Sequence, residues 1–152
     1  MKWHMKMEMK PQGEKYGFEE LLQIITALCA EDGCPWDRVQ THESLVPCLL
    51  DEAHEVVEAV EHQDMDNLCE ELGDVLLQVV MHSEIAQKNG TFTMAEVIDG
   101  VSRKMIRRHP HVFGDAKAET PEESLVLWRQ IKAQEKAEKA AKILEKQGFE
   151  SI

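Results

Sequence analysis

The sequence predicts an all-α protein, a bundle of about five helices, on three observations. Apolar residues recur at 3.6-residue spacing, no stretch shows strand-like alternation, and the periodic segments are bounded by caps and breakers. FEELLQIITALCA (18–30) reads as a first helix, stopped by Asp32-Gly33 and then Pro35. GCPWDRVQT is a loop. A second helix runs from about Glu43 to His62, with Pro47 in its first turns, where a missing N–H is tolerated. Asp64 caps a third, which continues to about Lys88 and stops at Asn89-Gly90. Thr93 caps a fourth, Met94 to about Arg108, followed by a loop, HPHVFGDAKAET. Thr120-Pro121-Glu122-Glu123 opens the fifth by cap, first-position proline and box-like Glu. That helix carries Leu125, Trp128 and Ile131 at core spacing, then fades into the solvated tail QEKAEKAAKILEKQ.

At 152 residues the chain suits one domain with a real core. Its net charge of −12 argues against a nucleic acid polymer as partner, because that affinity comes from clustered Lys and Arg. A small phosphorylated ligand stays open if a metal or a local basic cluster intervenes. The N-terminal MKWHMKMEMKPQGEKYG has no apolar run for a leader, and no stretch approaches the roughly 18 apolar residues of a membrane span. A cytoplasmic protein without membrane contact is the expectation. Cys29, Cys48 and Cys69 fall among apolar residues, predicting reduced, buried thiols, while Cys34 lies in a polar stretch.

The informative segment is LLDEAHEVVEAVEHQDMDNLCEELGDVLLQVV (49–80), with ten carboxylates and no Lys or Arg. At an offset of 19 residues, LLDEAHEVVEAV matches LCEELGDVLLQV. Leu49, Ala53, Val56 and Val60 then correspond to Leu68, Leu72, Val75 and Val79, one apolar stripe per helix. On the same register Glu52 and Glu55 match Glu71 and Asp74, each an i, i+3 couple on one flank of its stripe. The short connection makes the helices antiparallel neighbours. Packing stripe on stripe brings the four carboxylates together at the edge of the core. Such a group repels unless a cation intervenes, and oxygen-only ligands favour Mg²⁺, Mn²⁺ or Ca²⁺. Acidic helices also simply display Glu to water, as expected for Glu58, Glu61, Asp64, Asp66 and Glu84. The third helix is greasy on more than one side through Leu77, Val80 and Met81. It therefore takes a central position in the bundle or a subunit interface, and a homodimer or higher homo-oligomer is favoured.

Cations for a polyphosphate stand further along. Lys104, Arg107 and Arg108 share one helical face and can grip phosphate oxygens, although cations also suit a helix C-terminus. His109 and His111 flank Pro110, where structural hydrogen bonding outweighs a two-ligand metal site. Trp36 and Trp128 are either core anchors or platforms for a base.

Together these stretches resemble the MazG family of nucleoside triphosphate pyrophosphohydrolases. The family's EExxE and ExxD correspond to Asp51-Glu52-Ala53-His54-Glu55 and Glu71-Leu72-Gly73-Asp74. GCPWDRVQTH, EELGDVLLQVV, RRHPHVFGD and LWRQIKAQEK follow the family's characteristic runs, in order, over about 18–136. Residues 1–17 are then a flexible N-terminal segment and 137–152 a solvated helical tail. The resemblance implies an all-α NTP pyrophosphatase bundle that dimerises, with Mg²⁺ (Mn²⁺ as substitute) on Glu52, Glu55, Glu71 and Asp74. It implies phosphate contacts from Lys104, Arg107 and Arg108, with Trp128 and Lys132 near the nucleotide. The implied reaction is hydrolysis of nucleoside triphosphates, non-standard ones included, between the α and β phosphates. Glu52 or Glu55 is the candidate catalytic base. Asp51 departs from the pattern, which has Glu there. Some members carry the domain twice, and the RRHPHVF run here resembles the first copy.

Two rivals follow from the residues. A carboxylate-bridged di-iron bundle needs ExxH on two helices, and only Asp51-x-x-His54 comes near. A non-catalytic helical module would bind nucleotide or a protein partner without turnover.

Overall fold

The computed structural model describes residues 9–148, so the first eight and last four residues of the expected flexible segment and tail lie outside it. All regular structure in the described residues is helical. It comprises α1 (Phe18–Cys29), a 3₁₀ turn (Asp37–Val39), α2 (His42–Glu61), α3 (Met65–Lys88), α4 (Met94–Arg108), α5 (Pro110–Phe113) and α6 (Pro121–Lys146). Six α-helices replace the expected five, because Pro110 starts one extra turn within the loop after α4. The tail runs as continuous helix to Lys146. Among the described residues no helix is long and apolar enough to cross a membrane.

The chain falls into two compact units, Met1–Ala95 and Glu96–Ile152. The first is built on the α2–α3 hairpin, with α1 against α3. Its core gathers Ile25 and Cys29 of α1, Leu45 of α2, and Val80, Met81 and Ile85 of α3, with Leu77 and Met94 packed alongside. The second-side apolar surface of α3 is thus partly explained: its C-terminal half lies between α1 and α2. Glu20 reaches back to accept from the backbone N–H of Gln12 and Gly17, fixing the strap before α1. Gly33 admits no Cβ, which would stand 2.3 Å from the Leu28 carbonyl oxygen, and so permits the tight turn out of α1.

The hairpin connection is three residues, His62 to Asp64. Asp64 N–H reaches Ala59 O and Gln63 N–H reaches Val60 O, a Schellman closure of α2. The left-handed position is held by Gln63 (φ 56°), not by glycine. Asp64 then turns round: its carboxylate accepts from Asn67 N–H at 3.0 Å and caps α3, as the sequence predicts. The C-terminus of α3 closes the same way, with Gly90 at φ 70°. At α6, Thr120 accepts from Glu123 N–H, but Glu123 answers to Glu119 N–H, one residue outside the usual box.

Three sequence expectations need correction. The predicted stripes bury only in part: Leu49, Val56, Leu68 and Val75 are half-buried, whereas Val60 and Leu72 are 54% and 51% exposed and Ala53 is also exposed. Fully buried are Leu45 and Ala59 on α2 and Glu71, Gln78, Val80, Met81, Ser83, Ile85 and Ala86 on α3, among which Glu71, Gln78 and Ile85 follow a seven-residue rhythm. Packing Met81 and Ile85 into the core beside α1 goes with a rotation of α3 that brings Glu71 and Gln78 into its buried row. The four cysteines are free, but only Cys29 is buried; Cys34 and Cys48 are half-buried and Cys69 is exposed. Cys69 precedes Glu71 by two residues, about 200° around α3, which sends it away from the seam. Glu84 is likewise half-buried and accepts from Thr26 Oγ1, not displayed to water.

Relieving the left-handed strain by Gln63→Gly raises unfolding free energy by about 1 kcal/mol, and Asp64→Ala lowers it by about 1 kcal/mol. Urea denaturation followed by far-UV circular dichroism reads both signs.

Candidate metal centre

The rotation of the hairpin decides where the acids go. Glu52, one seven-residue step beyond Leu45, is half-buried, and Glu71, one step before Gln78, is only 7% exposed. Glu55 faces solvent and Asp74 is half-buried. Carboxylate oxygens of Glu52, Glu55 and Glu71 lie within 4.8 Å of one another, so two helices bring three acids to one point. Asp74 stands outside that close set, but its charge still acts on both Glu52 and Glu71.

Like charges gathered in a helix seam resist ionisation. Burial, followed by the neighbouring Glu55 carboxyl and the Asp74 and Glu52 charges, pushes the Glu71 carboxyl up to about 7. Burial first, then Asp74 and Glu55, also raises Glu52. Glu71 Oε2 is buried without a hydrogen-bond partner. An orphaned buried carboxylate oxygen is costly unless something else takes its lone pairs. The oxygen spacing suits one divalent ion, whose opposed oxygen ligands stand about 4 to 5 Å apart. The donor set, all carboxylate, matches a hard cation. His54 is exposed, and among the described residues no histidine joins the cluster.

The second unit holds the cations. Arg107 Nε donates to Glu135 Oε1 at 2.5 Å; Arg108 donates to Glu135 Oε2 through Nε at 3.2 Å and Nη2 at 2.9 Å. These donors hold the Glu135 carboxyl down at about 2. The Arg108 guanidinium lies 5.1 Å from the Trp128 ring centroid and Lys132 Nζ 4.8 Å from it, both cation–π distances. Trp128 is half-buried and, with His109, Pro121, Ser124 and Leu125, lines a recess of about 350 Å³. Lys104 is exposed. His109 Nδ1 pairs with Met105 O, which supports the structural reading of that histidine. Trp36 is 58% exposed, so it is no core anchor.

Sequence reasoning missed three polar groups. Glu135 shares a helix face with Trp128 and Lys132, and that spacing was its only signal. Gln78 is buried in the seam with Oε1 unpartnered, seven residues from Glu71. His42 and His82 stack with their Nδ1 atoms 2.8 Å apart, joining α2 to α3 beside a recess of about 300 Å³. That recess, lined by His42 and Lys88, lies ten residues along α2 from Glu52, roughly 15 Å from the carboxylates.

The family model described as the MazG nucleotide pyrophosphohydrolase domain matches residues 40–113. The chain is 52% identical over 122 residues to the nucleoside triphosphate pyrophosphohydrolase/pyrophosphatase MazG of Thermotoga maritima, covering 80% of this chain and 46% of that protein. It is 46% identical over 123 residues to the nucleoside triphosphate pyrophosphohydrolase of Escherichia coli, covering 80% and 47%. The chain thus spans about half the length of these curated relatives. The crystal structure of a mazG-related protein from Thermotoga maritima superposes with a TM-score of 0.63 at 33% identity, over 76% of this chain and 98% of that one.

A carboxyl raised on folding favours the folded state only while protonated. Stability of the metal-free protein therefore falls as pH rises from the ordinary 4.5 to about 7 and levels off above. Thermal melts across that window show the slope, and Glu71→Gln flattens it. A millimolar divalent cation raises the melting temperature more at pH 8 than at pH 5.

Proposed function

Because the chain belongs to the MazG family of nucleotide pyrophosphohydrolases, we propose that it hydrolyses nucleoside triphosphates between the α and β phosphates, giving a nucleoside monophosphate and pyrophosphate. The observation that carries this reading is the meeting of Glu52, Glu55 and Glu71 in one helix seam, with a buried Glu71 oxygen unpartnered. Glu52, Glu55, Glu71 and Asp74 are the proposed Mg²⁺ ligands, with Mn²⁺ as substitute. An ion held there would offset phosphate charge and make water easier to deprotonate.

The chain's own groups divide the remaining work. Glu71, most buried of the four, would hold the cation in its carboxylate form. Of the two candidate bases, Glu55 is the solvent-facing one and, in place of a direct bond to the ion, accepts the proton of the attacking water. Lys104, Arg107 and Arg108 contact the phosphates and offset charge on the pyrophosphate leaving group. Lys132 contacts the nucleotide, and Trp128 and Trp36 stack on its base. Standard and non-standard triphosphates of the cytoplasmic pool are the substrate class.

We further propose a homodimer or higher homo-oligomer. Leu50 and Val57 on α2 and Leu72 and Leu76 on α3 are all exposed on the hairpin. Apolar rows of this kind on paired helices mark a surface that another chain covers.

Incubation with a panel of triphosphates and Mg²⁺ releases pyrophosphate, and Glu71→Ala lowers turnover roughly 100-fold or more. Nucleotide binding without pyrophosphate, read by calorimetry, identifies a non-catalytic module and ends the hydrolase reading.

A further inference from the structure

Neighbouring residues on a helix point about 100° apart, so Arg107 and Arg108 do not share a direction by default. They are nonetheless drawn to one carboxylate. Glu135 lies on α6, its side chain 16% exposed, and it takes Arg107 on one oxygen and Arg108 on the other. Both arginines are gripped through Nε, and Arg108 through Nη2 as well. The bonds to Glu135 therefore leave both terminal nitrogens of Arg107 and one of Arg108 uncommitted. Arg108 is further confined, its side chain 13% exposed and its guanidinium set over Trp128. Arg107, Arg108 and Lys132 outnumber Glu135 and Glu138, the two acids that line one recess with Arg107, so the cluster stays cationic.

We propose that Glu135 is a positioning residue: it ties two arginines that helix geometry would splay, holding them by their inner edges so that their outer nitrogens form one fork for polyphosphate oxygens. This rests on the phosphate role given above to Arg107 and Arg108. A fork fixed in advance loses less side-chain entropy on binding, which is where guanidinium pairs gain over flexible ammonium groups. The low Glu135 carboxyl keeps the clamp charged across the working pH range.

The alternative, an ion pair that only neutralises surplus charge, predicts the opposite sign. Removing an acid from a cationic cluster should then tighten anion binding. The probe is inorganic tripolyphosphate titrated into the full chain by calorimetry, comparing wild type with Glu135→Gln. Positioning predicts about tenfold weaker binding in the variant despite its added positive charge, with circular dichroism unchanged. Equal or tighter binding overturns the proposal, as does a wild type that does not bind the probe. Should Glu135→Gln lose helix, Glu135→Asp decides: weaker binding at native helicity supports the clamp, and unchanged binding overturns it. In triphosphate hydrolysis the variant raises KM about tenfold and lowers kcat as well, because the same two arginines meet charge on the leaving group. Tripolyphosphate binding that depends on Glu135 in a chain without turnover sinks the hydrolase reading alone, and turnover with wild-type KM in Glu135→Gln sinks the clamp alone.

Discussion

The structure turns on a repulsion it does not itself neutralise. Glu52 and Glu71 are turned into a helix–helix seam, with Glu55 and Asp74 at its edge, in a segment with no Lys or Arg from residue 39 to residue 87. A compact fold normally sends such groups to water or pairs them. Here the hairpin instead raises the proton affinity of Glu52 and Glu71 and leaves one Glu71 oxygen without a partner. The arrangement is electrostatically unfinished, and a hard divalent cation is the simplest charge that completes it.

What keeps α2 and α3 together against that repulsion lies at the other end of the hairpin. Leu45, Met81 and Ile85 close on Ile25 and Cys29 of α1, while at the acidic end the buried apolar contribution on α2 is the small side chain of Ala59. The first unit thus places its hydrophobic core and its charged group at separate points along one helix pair. A stable end fixes the rotation of both helices, and the rotation delivers the carboxylates. The second unit joins the two instead, with Arg108 and Lys132 over the Trp128 ring and both Arg107 and Arg108 paired to Glu135.

Much of this was legible in the residues. Helix order, most boundaries, the Asp64 cap and the meeting of the acid couples follow from local chemistry and from the 19-residue match between two helices. The rotation of the seam did not, because periodicity marks which residues share a face but not which face a third helix selects; α1 made that choice. Cys69 was misjudged for the same reason, its apolar neighbours standing on a different side of α3. The Arg108–Glu135 and His42–His82 contacts were invisible because the partners lie 27 and 40 residues apart. Asp74 was legible as a member of the acid group, whereas its standing apart from the closest three was not.

The three-residue link at His62 to Asp64 has a consequence for how this chain can vary. Asp64 terminates one helix and starts the next, so the link has no slack to absorb a change in length. One residue gained or lost there would swing α3 by about 100° and carry Glu71 out to solvent. Natural length variation should therefore be barred from this corner and free to accumulate between Asp115 and Glu119. Drift in size is channelled by a single aspartate that belongs to two helices at once.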